Sequence, residues 1–145
     1  MKVMKLKLTL LLTLLIVAFS TQAQSVLGKW KTIDDATGDA KSIVEITERN
    51  GRIYGKVVEL LNPAMKNLKC KDCEGTDKDK PVLGIEVIKG LRKDGDKYTD
   101  GKILDPSSGK LYKCTVSFDG ADKLKVRGYV GISAFGRNQI WHRVK

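Results

Sequence analysis

The chain has 145 residues, with 27 Lys or Arg against 17 Asp or Glu, and its formal net charge is +10. Basic and acidic side chains alternate, and the absence of any run of five or more like charges excludes a dedicated polyanion-binding arm. We therefore expect no nucleic-acid partner. The length suits one domain with a modest hydrophobic core, and it excludes a second domain.

Residues 1–23 have the pattern of a secretory signal peptide. Three lysines precede an apolar run over residues 8–19, and Thr21 and Ala23 supply the small side chains of a cleavage site. A membrane anchor is the alternative, but this run is shorter than the roughly 20 residues needed to span a bilayer. We expect a periplasmic or secreted protein with one domain over residues 24–145 and no membrane span after cleavage.

From residue 27 onward, apolar side chains recur at every second position, and turn-forming residues interrupt the pattern at regular intervals. A period of two is typical of β-strands with one buried face. The predicted strands cover residues 28–33, 41–47, 52–60, 83–91, 98–104, 111–118, 123–130 and 138–144. Eight antiparallel strands predict an all-β fold that closes into an up-and-down barrel, with a β-sandwich as the alternative.

The clearest strand is the one predicted over residues 123–130. Its apolar face, predicted to be core, carries Leu124, Val126, Gly128 and Val130. A turn over residues 119–122 joins this strand to the preceding one as a hairpin.

A long polar segment, residues 62–81, interrupts the strand pattern and contains two of the three cysteines. Loops of this length in a compact domain are usually functional or disordered. We expect a short helical turn near its start, over residues 63–68, and we interpret the segment as a lid or rim.

Cys70 and Cys73 form a CxxC pair, for which three interpretations remain open. A disulfide within the long loop is favoured in an exported protein, and it would leave Cys114 as a free thiol. A redox-active dithiol is less favoured, because the loop lacks the strand-to-helix context that lowers a thiol pKa. In the third interpretation, Cys70, Cys73, Cys114 and His142 form a Cys₃His zinc site, since they are the only Cys and His residues in the chain.

Candidate catalytic groups are few. His142 is the single histidine, and no GxSxG motif accompanies it, so we expect neither a hydrolase triad nor a cofactor. Arg127 and Tyr129 share one strand face, and Arg137 lies in the turn that follows. Because a guanidinium presents a planar fork of donors to a carboxylate or phosphate, these three residues are candidate ligand-binding residues. A solvated outer face is the alternative.

Tryptophan occurs twice, in Gly28-Lys29-Trp30 at the start of the first strand and in Trp141-His142-Arg143 in the last. This arrangement is similar to that of lipocalin and fatty-acid-binding-protein barrels, where a GxW tryptophan packs under an arginine from the end of the chain. The resemblance implies that Arg143, or alternatively Arg137, stacks on Trp30. It also implies that Trp30, Trp141 and Arg143 close one end of the barrel, and that ligand-binding residues lie at the other end.

Several further motifs resemble the exported bacterial domain-of-unknown-function family 2147. They are Pro81-Val82-Leu83-Gly84, Gly101-Lys102-Ile103-Leu104-Asp105-Pro106, Gly109-Lys110-Leu111-Tyr112, Arg127-Gly128-Tyr129-x-Gly131 and Gly136-Arg137-x-x-x-Trp141. The resemblance covers nearly all of residues 24–145. It implies an exported single domain and adds no specific chemistry.

These observations favour an exported, non-enzymatic barrel that binds a small amphipathic or acidic ligand at its open end. One alternative is an interaction module that engages another envelope protein or the cell-wall polymer through the basic surface. Another alternative is a thiol-redox or metal-binding protein that uses the CxxC loop.

Overall fold

The computed structural model describes residues 24–132, 134 and 136–145, so the predicted signal peptide lies outside the described residues. Within the part described, no helix is both long enough and apolar enough to cross a membrane. The strands are β1 (Gly28–Ile33), β2 (Ala40–Arg49), β3 (Arg52–Leu60), β4 (Glu86–Asp94), β5 (Lys97–Asp105), β6 (Lys110–Phe118), β7 (Lys123–Tyr129) and β8 (Gly136–Arg143).

The eight strands form a closed antiparallel barrel in sequence order, and β8 pairs with β1 to complete the cylinder. The predicted up-and-down barrel is therefore confirmed, and the β-sandwich alternative is wrong. The period-two pattern made this prediction possible, because one face of every strand must be apolar when a single sheet encloses its own core.

The predicted strand limits agree with the structure to within two residues, except in β4. This strand begins three residues later than predicted, at Glu86. Gly84 has a positive φ of 94°, and the amide of Ile85 donates to the carbonyl of Val82 in a turn. The apolar side chains before β4 therefore belong to the end of the long loop.

The alternating pattern predicts that Val130 belongs to the core, but this prediction is wrong. β7 ends at Tyr129, and the Val130 side chain is 68% exposed. Gly131 follows with a positive φ of 74°, so the chain turns away from the sheet at this point. Apolar residues therefore continue to alternate in the sequence beyond Tyr129, where β7 ends.

The connections divide the barrel into two ends. The β2–β3, β4–β5 and β6–β7 hairpins lie at the end that also carries both chain termini of the domain, and we call this the closed end. The β1–β2, β3–β4, β5–β6 and β7–β8 connections lie at the opposite end, which we call the mouth. The β3–β4 connection is the long loop, and it includes the expected helical turn as a 3-10 turn over Pro63–Met65.

The buried core fills the half of the barrel next to the closed end. Trp30 is fully buried there, its indole Nε1 donates to the carbonyl of Val26 at 2.8 Å, and Phe118 packs edge-on against its ring. The core side chains around it include Ile46, Ile53, Ile88, Leu91, Cys114, Val116 and Leu124. The side chains of this cluster therefore occupy the half of the barrel next to the closed end.

Candidate functional site

A cavity of about 940 Å³ opens at the mouth of the barrel. This volume is within the range of small-molecule sites, which is about 300–1,000 Å³. The inner wall is apolar and consists of buried side chains from six strands, namely Val44, Val57, Val87, Leu104, Val126 and Trp141. The cavity therefore offers an apolar interior with access to solvent from one side.

Two hydroxyl groups interrupt this apolar wall. Thr32 on β1 lies opposite Ser42 on β2, and both side chains are buried while lining the cavity. Their hydroxyl oxygens are 2.7 Å apart and share one hydrogen bond. A hydroxyl pair can both donate to and accept from a ligand, so it forms a polar point within the apolar surface.

The inward face of β8 carries a polar chain from the cavity wall to the mouth. The indole Nε1 of Trp141 donates to Gln139 Oε1 at 2.7 Å, and Gln139 Nε2 donates to Asp35 Oδ2 at 3.1 Å. Arg137 Nη2 lies 3.4 Å from the same carboxylate oxygen. These contacts connect the β1–β2 connection to β8 and place an arginine and an aspartate together at the opening.

The long loop forms one side of the mouth. Its cavity-lining residues are Met65, Leu68, Lys69, Lys71, Asp72 and Val82. Two segments of the loop pair with each other, since the amide of Val82 donates to the carbonyl of Leu68 at 2.8 Å and Lys69 forms a bridge with Pro81. The loop is therefore an ordered wall of the cavity.

A disulfide joins Cys70 to Cys73 in this loop, and both cysteines are buried. Cys70 Sγ lies 3.4 Å from the carbonyl oxygen of Pro106 in the β5–β6 turn. In the same turn, a side chain at Gly109 would overlap the carbonyl group of Asp72 and lie 2.6 Å from the amide nitrogen of Cys73. The disulfide segment thus packs directly on the β5–β6 turn.

An ion pair also holds the long loop against the barrel. Lys89 Nζ on β4 donates to Asp77 Oδ2 at 2.7 Å, and Lys80 lies 3.5 Å from the other carboxylate oxygen. The hydrogen bond from Lys89 holds the pKa of the Asp77 carboxyl below its usual value. The carboxylate is therefore charged, and the contact persists, over the whole neutral range.

Aspartates at the mouth are mostly engaged in local contacts. The Asp34 carboxylate accepts from the amide of Ala36 at 2.8 Å in the β1–β2 connection. The Asp105 carboxylate accepts hydrogen bonds from the hydroxyls of Ser107 and Ser108. Although burial opposes the charged form of Asp105, these hydrogen bonds lower the pKa of its carboxyl overall.

Cys114 is a free, buried thiol in the barrel core, and burial raises its pKa to about 12. Because the sulfurs of Cys70 and Cys73 are bonded to each other, they do not form a zinc-ligand set with Cys114. His142 lies on the outward face of β8, next to Lys31 and Lys123 in the register. Among the described residues, no three Cys, His, Asp or Glu side chains are grouped so as to hold a metal ion.

The structure does not bring the three candidate ligand-binding residues onto one face. Arg127 lies opposite Asn138, and its Nη1 donates to the Asn138 side chain at 2.7 Å on the outer surface. Arg137 is instead the register partner of Gly128, which lines the cavity. Residues directly opposite in a ladder share a face, so Arg137 belongs to the mouth and Arg127 to the outer wall. Tyr129, at the end of β7, also borders the mouth.

The two tryptophans occupy different levels of the barrel. The guanidinium of Arg143 lies over the Trp30 ring at the closed end, while Arg137 is at the mouth. Trp141 is two residues before Arg143 on the same face of β8, and its indole lines the cavity. Trp141 is therefore part of the candidate site as well as of the barrel wall.

Most cavity residues were missed by sequence reasoning, among them the polar residues Thr32, Asp35, Ser42 and Gln139. Thr32, Ser42 and Gln139 were within predicted strands and Asp35 was between two of them, but an isolated polar side chain gives no signal of its own. The contact between Asp35 and Gln139 joins residues 104 positions apart, so it depends on barrel closure. The inward positions of Thr32 and Gln139 follow from the alternation once Trp30 and Trp141 are known to face inward.

Comparisons with known proteins agree with this fold. The structure is similar to that of Protein HP1028 from the human pathogen Helicobacter pylori, described as belonging to the lipocalin family, with a TM-score of 0.74. The two share 21% sequence identity over 85% of each chain, a level at which the similarity shows the lipocalin-like barrel fold. Comparison with curated proteins gave no match. The family model DUF2147, described as an uncharacterized protein conserved in bacteria, matches residues 28–143, and the chain therefore belongs to this family.

Proposed function

We propose that this protein is an exported, non-enzymatic carrier that binds one small amphipathic molecule in the barrel cavity. The cavity itself is the observation that supports the proposal, because it combines an apolar interior of about 940 Å³ with an opening to solvent. The apolar part of the ligand packs against the buried valines, Leu104 and Trp141. Its polar end lies near the mouth, where charged side chains remain in contact with water.

The polar groups of the cavity favour a particular orientation of the ligand. The Thr32 and Ser42 hydroxyls are positioned to hydrogen-bond a hydroxyl or carbonyl group within the apolar region. Arg137 is at the mouth with a side chain that is 81% exposed, and its only described ion pair is the 3.4 Å contact to Asp35. We infer that an acidic head group competes with Asp35 for this guanidinium, so the protein prefers anionic amphiphiles over neutral ones.

Export remains part of the proposal and is supported by the amino-terminal sequence and by the Cys70–Cys73 disulfide, since disulfides persist mainly in oxidising compartments. Burial of both sulfurs argues against the thiol-exchange alternative, because an attacking thiolate must reach a sulfur atom.

Fluorescent probes test the proposal directly. N-phenyl-1-naphthylamine is neutral, and anilinonaphthalene sulfonate carries one negative charge, so titrating the protein with each probe measures both apolar binding and charge preference. Leu60 is half-buried, lies opposite Ser42 and lines the cavity. We expect Leu60→Trp to fill part of the cavity and to weaken binding of both probes at least about tenfold.

Two matched variants act as controls. Val144→Trp adds the same indole at the closed end and is expected to leave binding unchanged. Arg137→Gln is expected to weaken the anionic probe about two- to fivefold and to spare the neutral one, whereas Arg127→Gln on the outer wall changes neither. Equal effects of Leu60→Trp and Val144→Trp would show that the cavity is not the binding site. Equal effects of Arg137→Gln on the two probes would remove the acidic-ligand preference.

A further inference from the structure

Exposed aliphatic side chains lie on two sides of the mouth. In the β7–β8 connection, Val130 is 68% exposed and Ile132 is 63% exposed. Across the opening, Leu68 in the long loop is 43% exposed while also lining the cavity. We call Leu68, Val130 and Ile132 the apolar lip. Aliphatic side chains exposed to this degree at one end of a soluble barrel indicate a contact surface, since burying them elsewhere would be favourable.

Basic side chains flank the apolar lip on both sides. Lys113 Nζ donates to the carbonyl of Gly131 at 3.3 Å, which places an ammonium group beside the segment that carries Val130 and Ile132. On the other side, Lys69 and Lys71 are exposed at the cavity edge next to Leu68. Within the described part of the chain, neither of these two ammonium groups forms an ion pair or a side-chain hydrogen bond.

The acidic side chains at the mouth do not cancel this arrangement. Asp35 is paired with Arg137, and the carboxylates of Asp34 and Asp105 accept hydrogen bonds within their own turns. The exposed carboxylates of Asp72, which lines the cavity, and Glu74, which lines a second pocket with Val130, remain against the three flanking lysines Lys69, Lys71 and Lys113. Unpaired cations beside exposed aliphatic side chains are the combination that favours an anionic lipid surface, where both types of group are accommodated at the headgroup level.

We propose that the mouth of the barrel docks on an anionic lipid bilayer, with the apolar lip inserted at the interface and the flanking lysines on lipid phosphates. The partner is a membrane surface, and the attachment is reversible because three aliphatic side chains give only shallow insertion. In this orientation the cavity faces the bilayer, so an amphipathic molecule passes between lipid and protein without crossing bulk water. Docking extends the carrier proposal, but it does not depend on the identity of the cavity ligand.

Co-sedimentation with vesicles tests the docking. The purified protein is mixed, without any probe, with phosphatidylcholine vesicles that either lack or contain about one third phosphatidylglycerol. We expect binding to the anionic vesicles at least about fivefold stronger than to the neutral ones, and we expect added salt to weaken it. The intact mass of the purified protein is determined first and shows whether residues 1–23 are present. Every variant is then compared with the wild type in the same form, with or without these residues.

Substitutions separate the apolar and electrostatic contributions. The double variant Val130→Asp with Ile132→Asp is expected to lower vesicle affinity about tenfold. Its control is Leu27→Asp with Val144→Asp, which makes the same charge change at two aliphatic side chains of 39% and 37% exposure at the closed end. Lys69→Glu with Lys71→Glu is expected to abolish the preference for anionic vesicles. Its control, Lys29→Glu with Lys31→Glu, makes the same charge change at the same spacing on β1.

The outcomes are distinct. Loss of vesicle binding in both mouth variants, with retention in both controls and unchanged circular dichroism in all four, supports docking through the mouth. Equal losses in the mouth and control variants would overturn it, because binding would then follow net charge alone. A wild-type protein that binds neither type of vesicle would also overturn it and would favour a protein partner for the apolar lip. Probe binding in the cavity is measured separately, so the vesicle results do not decide whether the carrier proposal is correct.

Discussion

The guanidinium carbon of Arg143 lies 4.2 Å from the centroid of the Trp30 ring. The same guanidinium donates to the carbonyl of Ser25 at 2.7 Å and lies 3.7 Å from the Asp122 carboxylate. Because Trp30 belongs to the first strand and Arg143 to the last, this contact joins the two ends of the domain beneath the core.

Replacing Arg143 with alanine removes the cation–π contact and the hydrogen bond to Ser25. We expect the free energy of unfolding to fall by about 2 kcal/mol, since a partly desolvated cation–π pair and one hydrogen bond each contribute about 1 kcal/mol. Urea titration followed by tryptophan fluorescence measures the change. Arg137→Ala is the control, and its exposed ion pair predicts a loss of no more than about 0.5 kcal/mol. Equal losses would mean that the contact with Trp30 adds no stability.

Gly109→Ala is expected to displace the disulfide segment from the β5–β6 turn. Gly109 has a φ of 73°, and its missing side chain leaves the space that the Asp72 carbonyl occupies. Gly120 has a similar φ of 86°, and no atom lies within 4 Å of the position that a Cβ would take there, so Gly120→Ala isolates the backbone cost. We expect the strained backbone to lower the free energy of unfolding by about 1 kcal/mol in both variants. In Gly109→Ala, the overlap with Asp72 is expected to lower it by at least about 2 kcal/mol more. Thermal unfolding compares them, and similar losses would contradict the close packing.

Stability is expected to decline at high pH because of Cys114. Burial raises the pKa of this thiol from 9.0 to about 12, so the unfolded chain loses its proton first as the pH rises. The contribution of Cys114 to the free energy of unfolding is complete below about pH 9. It is lost between that pH and about 12, at up to about 1.4 kcal/mol for each pH unit. Urea titrations at pH 8 and pH 10 measure this slope. Cys114→Ala should lose less stability over the same interval than the wild type; parallel curves would refute the assignment.

The ion pair between Asp77 and Lys89 is expected to weaken in acid. The folded-state pKa of Asp77 is lowered, so its contribution is complete above the ordinary pKa and disappears as the pH falls through the lowered value. At pH 7 we expect Asp77→Asn and Lys89→Gln each to cost about 0.5–1 kcal/mol, with little additional loss in the double variant. As the pH falls through the lowered pKa of Asp77, the difference in free energy of unfolding between the wild type and Asp77→Asn should shrink. Additive losses at pH 7 would show that the two residues act independently.

The alternation of side chains was sufficient to predict the barrel, because a strand with one apolar face has few alternatives in a chain of this length. It failed at Val130 and before β4, where the pattern continues beyond the ladder. In both places a glycine with positive φ redirects the backbone, and a periodic pattern alone does not reveal where a ladder ends.

The candidate site was less predictable than the fold. Arg127 and Arg137 were grouped because they are close in sequence, yet the hairpin register assigns them to opposite faces. The cavity wall depends on the closure of β1 against β8 and on the packing of the long loop, and both are long-range arrangements. The cysteine spacing allowed three interpretations, and the one favoured by the expected export, a Cys70–Cys73 disulfide, is present in the structure.

Among the strands of the described residues, all pairings except one join strands that are consecutive in the sequence. The exception is the β1–β8 ladder, whose described register consists of Trp30 with Arg143 and Lys31 with His142. Six ladders can thus assemble as local hairpins and the β3–β4 ladder can form across the long loop, so we expect the largest entropy cost, that of joining β1 to β8, in a late step. We expect substitutions at this seam, Arg143→Ala among them, to accelerate unfolding far more than they slow refolding in stopped-flow experiments. The unfolding rate of the closed barrel is then determined by the β1–β8 ladder, which has the fewest register pairs, and not by how fast the other ladders form.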